Sequence, residues 1–168
     1  MSWSSNEVLT LASKAARGAG APPWQAIEFG RAALRHLSAG RDPADLVAAL
    51  AALPGGPILT LPQRLAELVE TGGVGEGAVA SGEIATDTPA LALSYLEARP
   101  FETTATPGAQ GIAVRLAVTE PARRTLPQRL ALPEEIAARL EALAARTYVP
   151  ESEASRRAGA GAGLTDND

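Results

Sequence analysis

The sequence predicts an α+β fold in which N-terminal helices and a C-terminal helix pack on a small, mostly antiparallel sheet. Apolar residues recur at helical spacing in residues 1–71, and they resume that spacing from about residue 133. Because the strands predicted between these parts are not separated by helices, a doubly wound parallel sheet is not expected. One domain of 168 residues is expected, with a helical part (1–71), a mainly β part (72–132) and a helix plus Gly-rich tail (133–168).

The first helix has a local start signal. Ser4 and Glu7 are spaced as a capping box, and Trp3 and Val8 are spaced as the hydrophobic staple that often accompanies one. We therefore expect a helix that begins near Ser4 and is stopped by the Gly- and Pro-containing segment 17–23.

A second helix is predicted over about 24–38, with two faces of different character. Its inner stripe comprises Ile27, Gly30, Leu34 and Leu37, and its outer face comprises Glu28, Arg31 and Arg35. Glu28 and Arg31 are three residues apart and are expected to form an ion pair on the outer face.

Two further helices are predicted from cap residues and apolar spacing. Asp42 and Pro43 are expected to begin a third helix that runs to about Leu53 and is buried on most sides. A last helix is predicted over about 133–146, where Glu135 and Arg139 form an i,i+4 pair.

The heptapeptide Thr-Leu-Pro-Gln-Arg-Leu-Ala occurs twice, at 60–66 and at 125–131. Because the flanking residues differ, no domain duplication is inferred. Both copies are interpreted as helix-start signals. The first is expected to open a short helix that ends near Thr71, and the second is expected to be cut short by Pro133.

Strands are predicted where short apolar runs lie between Pro and Gly residues. The four predicted runs are Ala78–Ile84, Leu91–Leu96, Phe101–Thr106 and Gly111–Val118. In the last run, Ile112, Val114, Leu116 and Val118 alternate with smaller or polar residues, which indicates a strand buried on one face.

Composition excludes several kinds of chemistry. The chain has no Cys, one His (His36) and one Lys (Lys14), so a Cys nucleophile and a thiolate metal site are excluded. A net charge of −4 gives no general attraction to nucleic acid or to an anionic membrane, and neither is predicted as a partner. The sequence shows no secretory signal pattern and no apolar run of the ~18 residues that a membrane span needs, so a cytoplasmic location is expected.

Sequence motifs predict no reaction. The motifs of serine hydrolases, P-loop NTPases and zincins do not occur. Gly73–Ala78 matches the letters of a dinucleotide-binding fingerprint, but a helix precedes it and a strand is predicted to follow, so a turn is favoured. His36 lies at the margin of an apolar helix face, where a single His usually has a structural role.

Chemistry-bearing residue types are concentrated near the end of the chain. The candidate ligand-binding residues are Tyr148, Glu151, Glu153, Ser155, Arg156, Asp166 and Asp168. Arg156 beside Ser155 suits a carboxylate or phosphate, and the aspartates suit a hard cation, although no EF-hand spacing is present. A solvated tail is the alternative interpretation. No metal and no cofactor are predicted.

Both ends of the chain resemble a bacterial family of uncharacterised proteins that contain a domain of unknown function. The resemblance rests on Asn6–Val8 with Lys14–Gly20, and on Thr147–Arg156 with Gly159–Asp168. It implies no activity, cofactor or catalytic residue. It does imply that the Gly-rich end is a shared signature.

These observations favour a small soluble non-catalytic module that binds a partner protein or a small ligand, or that serves as an accessory to another protein. The Ala-rich, aromatic-poor helices suit close packing, so a homo-oligomer is expected. The alternative hypothesis is a small enzyme that uses carboxylate and Arg chemistry near the C-terminal signature.

Overall fold

The computed structural model of the chain describes residues 2–71 and 79–147, with the backbone alone at 118–120. In these ranges, helices and small antiparallel sheets together confirm the α+β class. The helices are α1 (Ser5–Gly18), α2 (Pro23–Ser38), α3 (Ala44–Ala51), α4 (Pro57–Thr71), α5 (Pro89–Glu97) and α6 (Glu134–Ala144). The strands are β1 (Ser2–Ser4), β2 (Val79–Ala85), β3 (Phe101–Pro107), β4 (Gly111–Pro121) and β5 (Arg129–Ala131).

Two antiparallel sheets are formed. Strand β4 lies between β2 and β3 in a three-stranded sheet, and β1 pairs with β5, with Trp3 opposite Leu130. The predicted strands at residues 78–84, 101–106 and 111–118 are therefore confirmed as β2, β3 and β4 within a few residues. The predicted alternation in β4 is confirmed from Ile112 to Leu116, since Ile112, Val114 and Leu116 are buried and Arg115 is exposed, whereas Ala117, predicted to lie on the other face, is also buried. Across the described ranges, no helix is both long enough and apolar enough to cross a membrane.

Helix α1 begins as its sequence predicts and lies between two other helices. The Ser4 side chain accepts a hydrogen bond from the Glu7 backbone N–H at 3.2 Å, and the Ser4 N–H donates to Glu7 Oε2 at 2.7 Å. Glycines permit the close packing on both sides. A Cβ at Gly30 of α2 would lie 2.7 Å from the Leu9 carbonyl oxygen, and one at Gly18 would lie 2.8 Å from the carbonyl carbon of Leu143 in α6.

The predicted strand at Leu91–Leu96 is wrong, because this segment lies in helix α5. Pro89 occupies the first turn of the helix, where its missing N–H leaves no hydrogen bond unmade. The buried residues Leu91 and Tyr95, like Ala92 and Leu96, are four positions apart and lie on one helical face. A short apolar run without alternation is compatible with either structure, and here the helix forms.

Neither copy of the heptapeptide starts a helix. Helix α4 begins at Pro57, before the first copy, and the Thr60 hydroxyl donates to the Gly56 carbonyl at 3.2 Å instead of capping. The second copy ends as strand β5. The third helix is also shorter than predicted, although Asp42 Oδ1 still accepts the Ala44 N–H at 2.9 Å near its start.

Candidate interaction surface

Helix α2 carries a buried carboxylate on the side that was predicted to be exposed. Glu28 is only 3% exposed, whereas the neighbouring Ile27, predicted to be buried, is 47% exposed. Glu28 Oε1 lies 2.8 Å from Arg31 Nη1, which confirms the predicted pair, and Oε2 lies 2.8 Å from Arg99 Nη2. Arg99 follows α5 and covers this side of α2, so Ile27 lies on the exposed side instead.

Two further arginines hold the C-terminal end of α5 in place. Arg41 forms a two-pronged ion pair with Glu97, with both N–O distances at 2.7 Å. Arg124 Nη1 donates at 3.2 Å to each of three backbone carbonyls, those of Glu97, Arg99 and Phe101. The Glu97 carbonyl is at the end of α5, where carbonyls lack partners within the helix, and Arg124 supplies a donor for it. Arg41, Arg99 and Arg124 therefore connect α5 to three other segments.

His36 and Ser94 form a hydrogen-bonded pair that is closed to solvent. His36 Nδ1 lies 2.9 Å from Ser94 Oγ, and His36 Nε2 donates a hydrogen bond at 2.8 Å to the Asp42 carbonyl oxygen, which can act only as an acceptor. Both side chains are fully buried, and Ser94 Oγ also accepts a hydrogen bond from Arg41 at 2.9 Å. Because the Ser94 hydroxyl is buried, a substrate cannot reach it. The hydrogen bond between His36 and Ser94 instead joins α2 to α5, which agrees with the structural role expected for His36.

The burial of His36 predicts that the protein loses stability in mild acid. Burial lowers the pKa of His36, and the Asp42 carbonyl and the Asp45 carboxylate offset this only in part, while Arg41 adds to the lowering. The unfolded chain therefore binds the proton first, near pH 6.5, so the stabilisation is full above this pH and is lost as the pH falls towards the lower folded-state pKa. We expect the free energy of unfolding to fall by at most about 1.4 kcal/mol per pH unit from this group.

Urea unfolding of the protein and of a His36→Gln variant at pH 7 and pH 5 measures this contribution. The variant is expected to lose less stability between the two pH values than the unchanged chain. An equal loss in both proteins would assign the acid sensitivity to the carboxylates alone.

Tyr95 lies beneath the Glu28 ion pairs and is closed to solvent as well. Its hydroxyl is buried, and no partner for it occurs in the described ranges. Burial, together with the nearby negative charge of Glu28, raises the pKa of Tyr95 above its usual range. A phenol that stays protonated and enclosed is not available as a general acid or base.

The exposed side of α2 is apolar at one end and cationic at the other. Trp24 and Ile27 are 44% and 47% exposed, and Arg31 follows them on the same helical face with a side chain that is 54% exposed. Arg35 continues the face and donates to the Thr125 carbonyl, which precedes Leu126, a side chain that is 39% exposed. We call these five residues the α2 face. In the described ranges they include every large apolar side chain that is strongly exposed.

The α2 face carries net positive charge, because Arg31 shares its one carboxylate partner, Glu28, with Arg99, and Arg35 contacts no carboxylate in the described ranges. Arg35 donates to the Thr125 carbonyl at 3.5 Å, and Arg124 donates to the backbone carbonyls around α5. Neither arginine has a carboxylate within 4.0 Å in the part of the chain that the structure describes. Partial burial, with the positive charge of Arg124 nearby, lowers the pKa of Arg35, although a guanidinium stays charged. The face is therefore cationic in a chain whose net charge is −4.

The grooves elsewhere on the molecule are open and offer less chemistry. One of about 450 Å³ lies between α1 and α6, beside Trp3 and Glu141. Its other carboxylate, Glu7, is used in the capping box, where the hydrogen bond from the Ser4 backbone lowers the pKa of Glu7. In residues 2–71 and 79–147, no group of three His, Asp or Glu side chains is placed to hold a metal ion.

The predicted ligand-binding residues lie outside the described residues, so their convergence stays a prediction. They are Tyr148, Glu151, Glu153, Ser155, Arg156, Asp166 and Asp168. The fingerprint-like segment Gly73–Ala78 also lies outside. The α2 face was not predicted as a site, because Ile27 was assigned to the inner stripe of the helix and Arg31 and Arg35 to its outer face. The one available signal was Trp24 beside Ile27 and Arg31, residue types that are common in protein interfaces.

No protein-family model, curated protein or solved structure matches this chain. The resemblance to a bacterial family of uncharacterised proteins therefore stays a prediction.

Proposed function

We propose that this chain is a small cytoplasmic, non-catalytic binding module whose α2 face holds a protein segment that carries carboxylates beside a large apolar side chain. The observation that carries the proposal is the α2 face itself, where exposed Trp24 and Ile27 lie next to Arg31, which shares the single carboxylate of Glu28 with Arg99, and near Arg35, which contacts no carboxylate in the described ranges. Tryptophan and arginine side chains contribute most of the affinity in many protein interfaces.

The charge of the face decides the chemistry of its partner. Arg31 is anchored by the buried Glu28, yet its guanidinium has five N–H donors and its side chain is 54% exposed. The remaining donors suit a carboxylate, which arginine binds through paired hydrogen bonds. Ile27 and Trp24 supply apolar area beside that contact, so a segment with both features is the best complement.

The burial of the potentially reactive side chains of His36 and Ser94 supports a non-catalytic role. His36 and Ser94 are fully buried, and their hydrogen bonds join helices. The alternative hypothesis, an enzyme with its site near the C-terminal signature, depends on residues outside the described part of the chain. A homo-oligomer follows naturally if the partner segment belongs to a second copy, which is the form of self-association that we favour.

Fluorescence anisotropy of two labelled peptides tests the proposal. In one short peptide Leu alternates with Asp, and in its counterpart Lys replaces every Asp. The Leu–Asp peptide is expected to bind the full chain, and Arg31→Glu is expected to weaken that binding about tenfold, which corresponds to about 1.4 kcal/mol. Trp24→Ala is expected to weaken it to a similar extent.

Arg139→Glu is the matched control. The Arg139 side chain is 59% exposed and pairs with a Glu on its own helix, as Arg31 does, but it lies on α6. This variant is expected to leave the affinity unchanged. The proposal would be contradicted by equal binding of both peptides, by equal effects of the two Arg variants, or by preferential binding of a single-stranded oligonucleotide.

A further inference from the structure

We propose that the α2 face binds the exposed side of α4 in a second copy of this chain, so that copies associate through an α2–α4 contact. This inference rests on the proposed function of the α2 face, and it identifies the partner that supplies the carboxylates. The partner surface, which we call the α4 surface, consists of four exposed residues of that helix: Thr60, Gln63, Glu67 and Glu70.

The α4 surface has the chemistry that the α2 face requires. Glu67 and Glu70 flank two partly buried apolar residues, Leu68 and Val69, so carboxylates lie beside large apolar side chains. Neither carboxylate has a Lys or Arg nitrogen within 4.0 Å in the described ranges. Glu83 of β2 adds a third carboxylate in a groove of about 350 Å³ that Glu67 also lines. Opposite charges on the two surfaces favour their association over that of like-charged surfaces.

Carboxylates on the other helices are less available to a partner. Glu135 pairs with Arg139 on its own helix at 3.3 Å, and Glu141 lines the groove that also contains Lys14. The nearby cation of α4, Arg64, is directed towards β2, where it donates to a backbone carbonyl. In the described ranges, α4 is therefore the helix that presents two neighbouring carboxylates without a contacting cation.

The two surfaces belong to one folded chain but are not joined within it. Arg31 pairs with Glu28, and Arg35 donates to the Thr125 carbonyl. In residues 2–71 and 79–147, no hydrogen bond or ion pair links either arginine to the α4 surface. A second copy can therefore supply its α4 surface to the α2 face while both copies keep their fold.

The spacing along the two helices agrees when they run parallel. Trp24 and Arg31 are seven residues apart, as are Thr60 and Glu67, so each pair spans about 10.5 Å along its helix. When Arg31 lies beside Glu67 of the second copy, Trp24 lies beside Thr60, which lines a groove of about 540 Å³ at the start of α4. An antiparallel arrangement would instead place Trp24 beyond Thr71, where α4 ends. The parallel arrangement therefore gives both the indole and the guanidinium a partner.

This contact has a consequence for other partners of the α2 face. A second copy and the Leu–Asp peptide use the same arginines, so their binding is mutually exclusive. Glu67→Arg removes the α4 surface as a partner and leaves the α2 face unchanged, so it is expected to strengthen peptide binding at protein concentrations where copies associate. A closed dimer with two α2–α4 contacts, a ring and an open chain are all compatible with the contact.

Sedimentation velocity of the full chain over a range of concentrations tests this inference. The unchanged chain is expected to associate, and Arg31→Glu and Glu67→Arg are each expected to weaken the association at least about tenfold. The two changes together are expected to restore it, because the ion pair is then reversed and not lost. A folding defect in either variant would not be repaired in this way.

Two substitutions on α6 are the matched controls. Arg139→Glu and Glu141→Arg make the same changes of charge at exposed positions outside both surfaces, and each is expected to leave the association unchanged. A chain that stays monomeric up to about 1 mM, the range of very weak binding, would overturn the inference. So would an association that the double charge exchange does not restore.

Disulfide trapping between copies tests the parallel register, because the chain has no Cys. The alignment that places Arg31 beside Glu67 also places Ile27 beside Gln63. An equimolar mixture of the Ile27→Cys and Gln63→Cys proteins is expected to form a mixed disulfide about tenfold faster than a mixture of Ile27→Cys with Ala142→Cys, since Ala142 is exposed on α6. Equal rates, or faster pairing of Ile27→Cys with itself, would overturn the inference.

The failure of this inference is distinguishable from the failure of the proposed function. If the Leu–Asp peptide binds through Arg31 but copies do not associate through α4, the α2 face has an external partner and this inference is wrong. If neither the unchanged chain nor its Glu67→Arg variant binds the peptide, and Arg31→Glu leaves sedimentation unchanged, the proposed function is wrong as well.

Discussion

Glu28→Ala is expected to lower the free energy of unfolding by about 3 kcal/mol. Glu28 is the shared partner of Arg31 and Arg99, each 2.8 Å from one of its carboxylate oxygens. Removing one partner of a buried ion pair leaves the other charge uncompensated and typically destabilises a protein by about 3–5 kcal/mol. The lower end of this range applies because the Arg31 side chain is 54% exposed and regains water.

Urea unfolding measures this effect directly, provided that the slope of the free energy of unfolding against urea concentration is the same for both proteins. Glu135→Ala is the matched control, since Glu135 also pairs with an arginine on its own helix but has a side chain that is 77% exposed. The control is expected to change stability by less than about 0.5 kcal/mol. Equal effects of the two substitutions would contradict the buried position of Glu28.

Gly30→Ala is expected to destabilise the protein by about 2 kcal/mol, although alanine is normally the better helix former. A Cβ at this position would lie 2.7 Å from the Leu9 carbonyl oxygen and would overlap Ser13 Oγ. Ser13 can rotate, but the Leu9 carbonyl belongs to the backbone of α1, so the two helices must separate. Overpacking of this kind typically destabilises a protein by about 1–3 kcal/mol.

Gly55→Ala serves as the control for Gly30→Ala. Gly55 does not have a positive φ, and the nearest atom to an added Cβ is the Ala52 carbonyl oxygen at 3.5 Å. This change is expected to alter the free energy of unfolding by less than about 0.5 kcal/mol. If Gly30→Ala is as mild as this control, α1 and α2 are not packed as closely as the structure shows.

Features that depend on nearby residues were predictable from sequence. The capping box of α1 involves only Ser4 and Glu7, and the alternation in β4 reports one buried face of a single strand. Both are set by residues a few positions apart, so no knowledge of the rest of the fold was needed. The class of the fold followed from the succession of such elements.

The repeated heptapeptide shows where local sequence fails. Leu65, in the first copy, is buried in α4, whereas its equivalent Leu130 lies in β5 opposite Trp3. The same seven residues form a helix in one place and end as a strand in the other, because different parts of the chain pack on them. Propensity is a weak signal that tertiary contacts override.

The candidate site was missed for a related reason. The orientation of α2 depends on Arg99, which is distant in sequence yet pairs with Glu28 and buries it. That contact places Ile27 on the exposed side of the helix, next to Trp24 and Arg31. Glu28 was expected to be exposed and is buried, whereas Ile27 was expected to be buried and is exposed. Helical periodicity alone therefore could not predict which residues form the α2 face.

The central claim is that the α2 face binds a carboxylate-bearing protein segment, and the most direct test is to map that binding on the full chain. The titration with the Leu–Asp peptide can be followed by ¹⁵N chemical shifts of the assigned protein. The largest changes are predicted at Trp24, Ile27, Arg31 and Arg35, and at Leu126 beside them. Shifts confined to the groove between α1 and α6, or no saturable shifts at any peptide concentration, would contradict the claim.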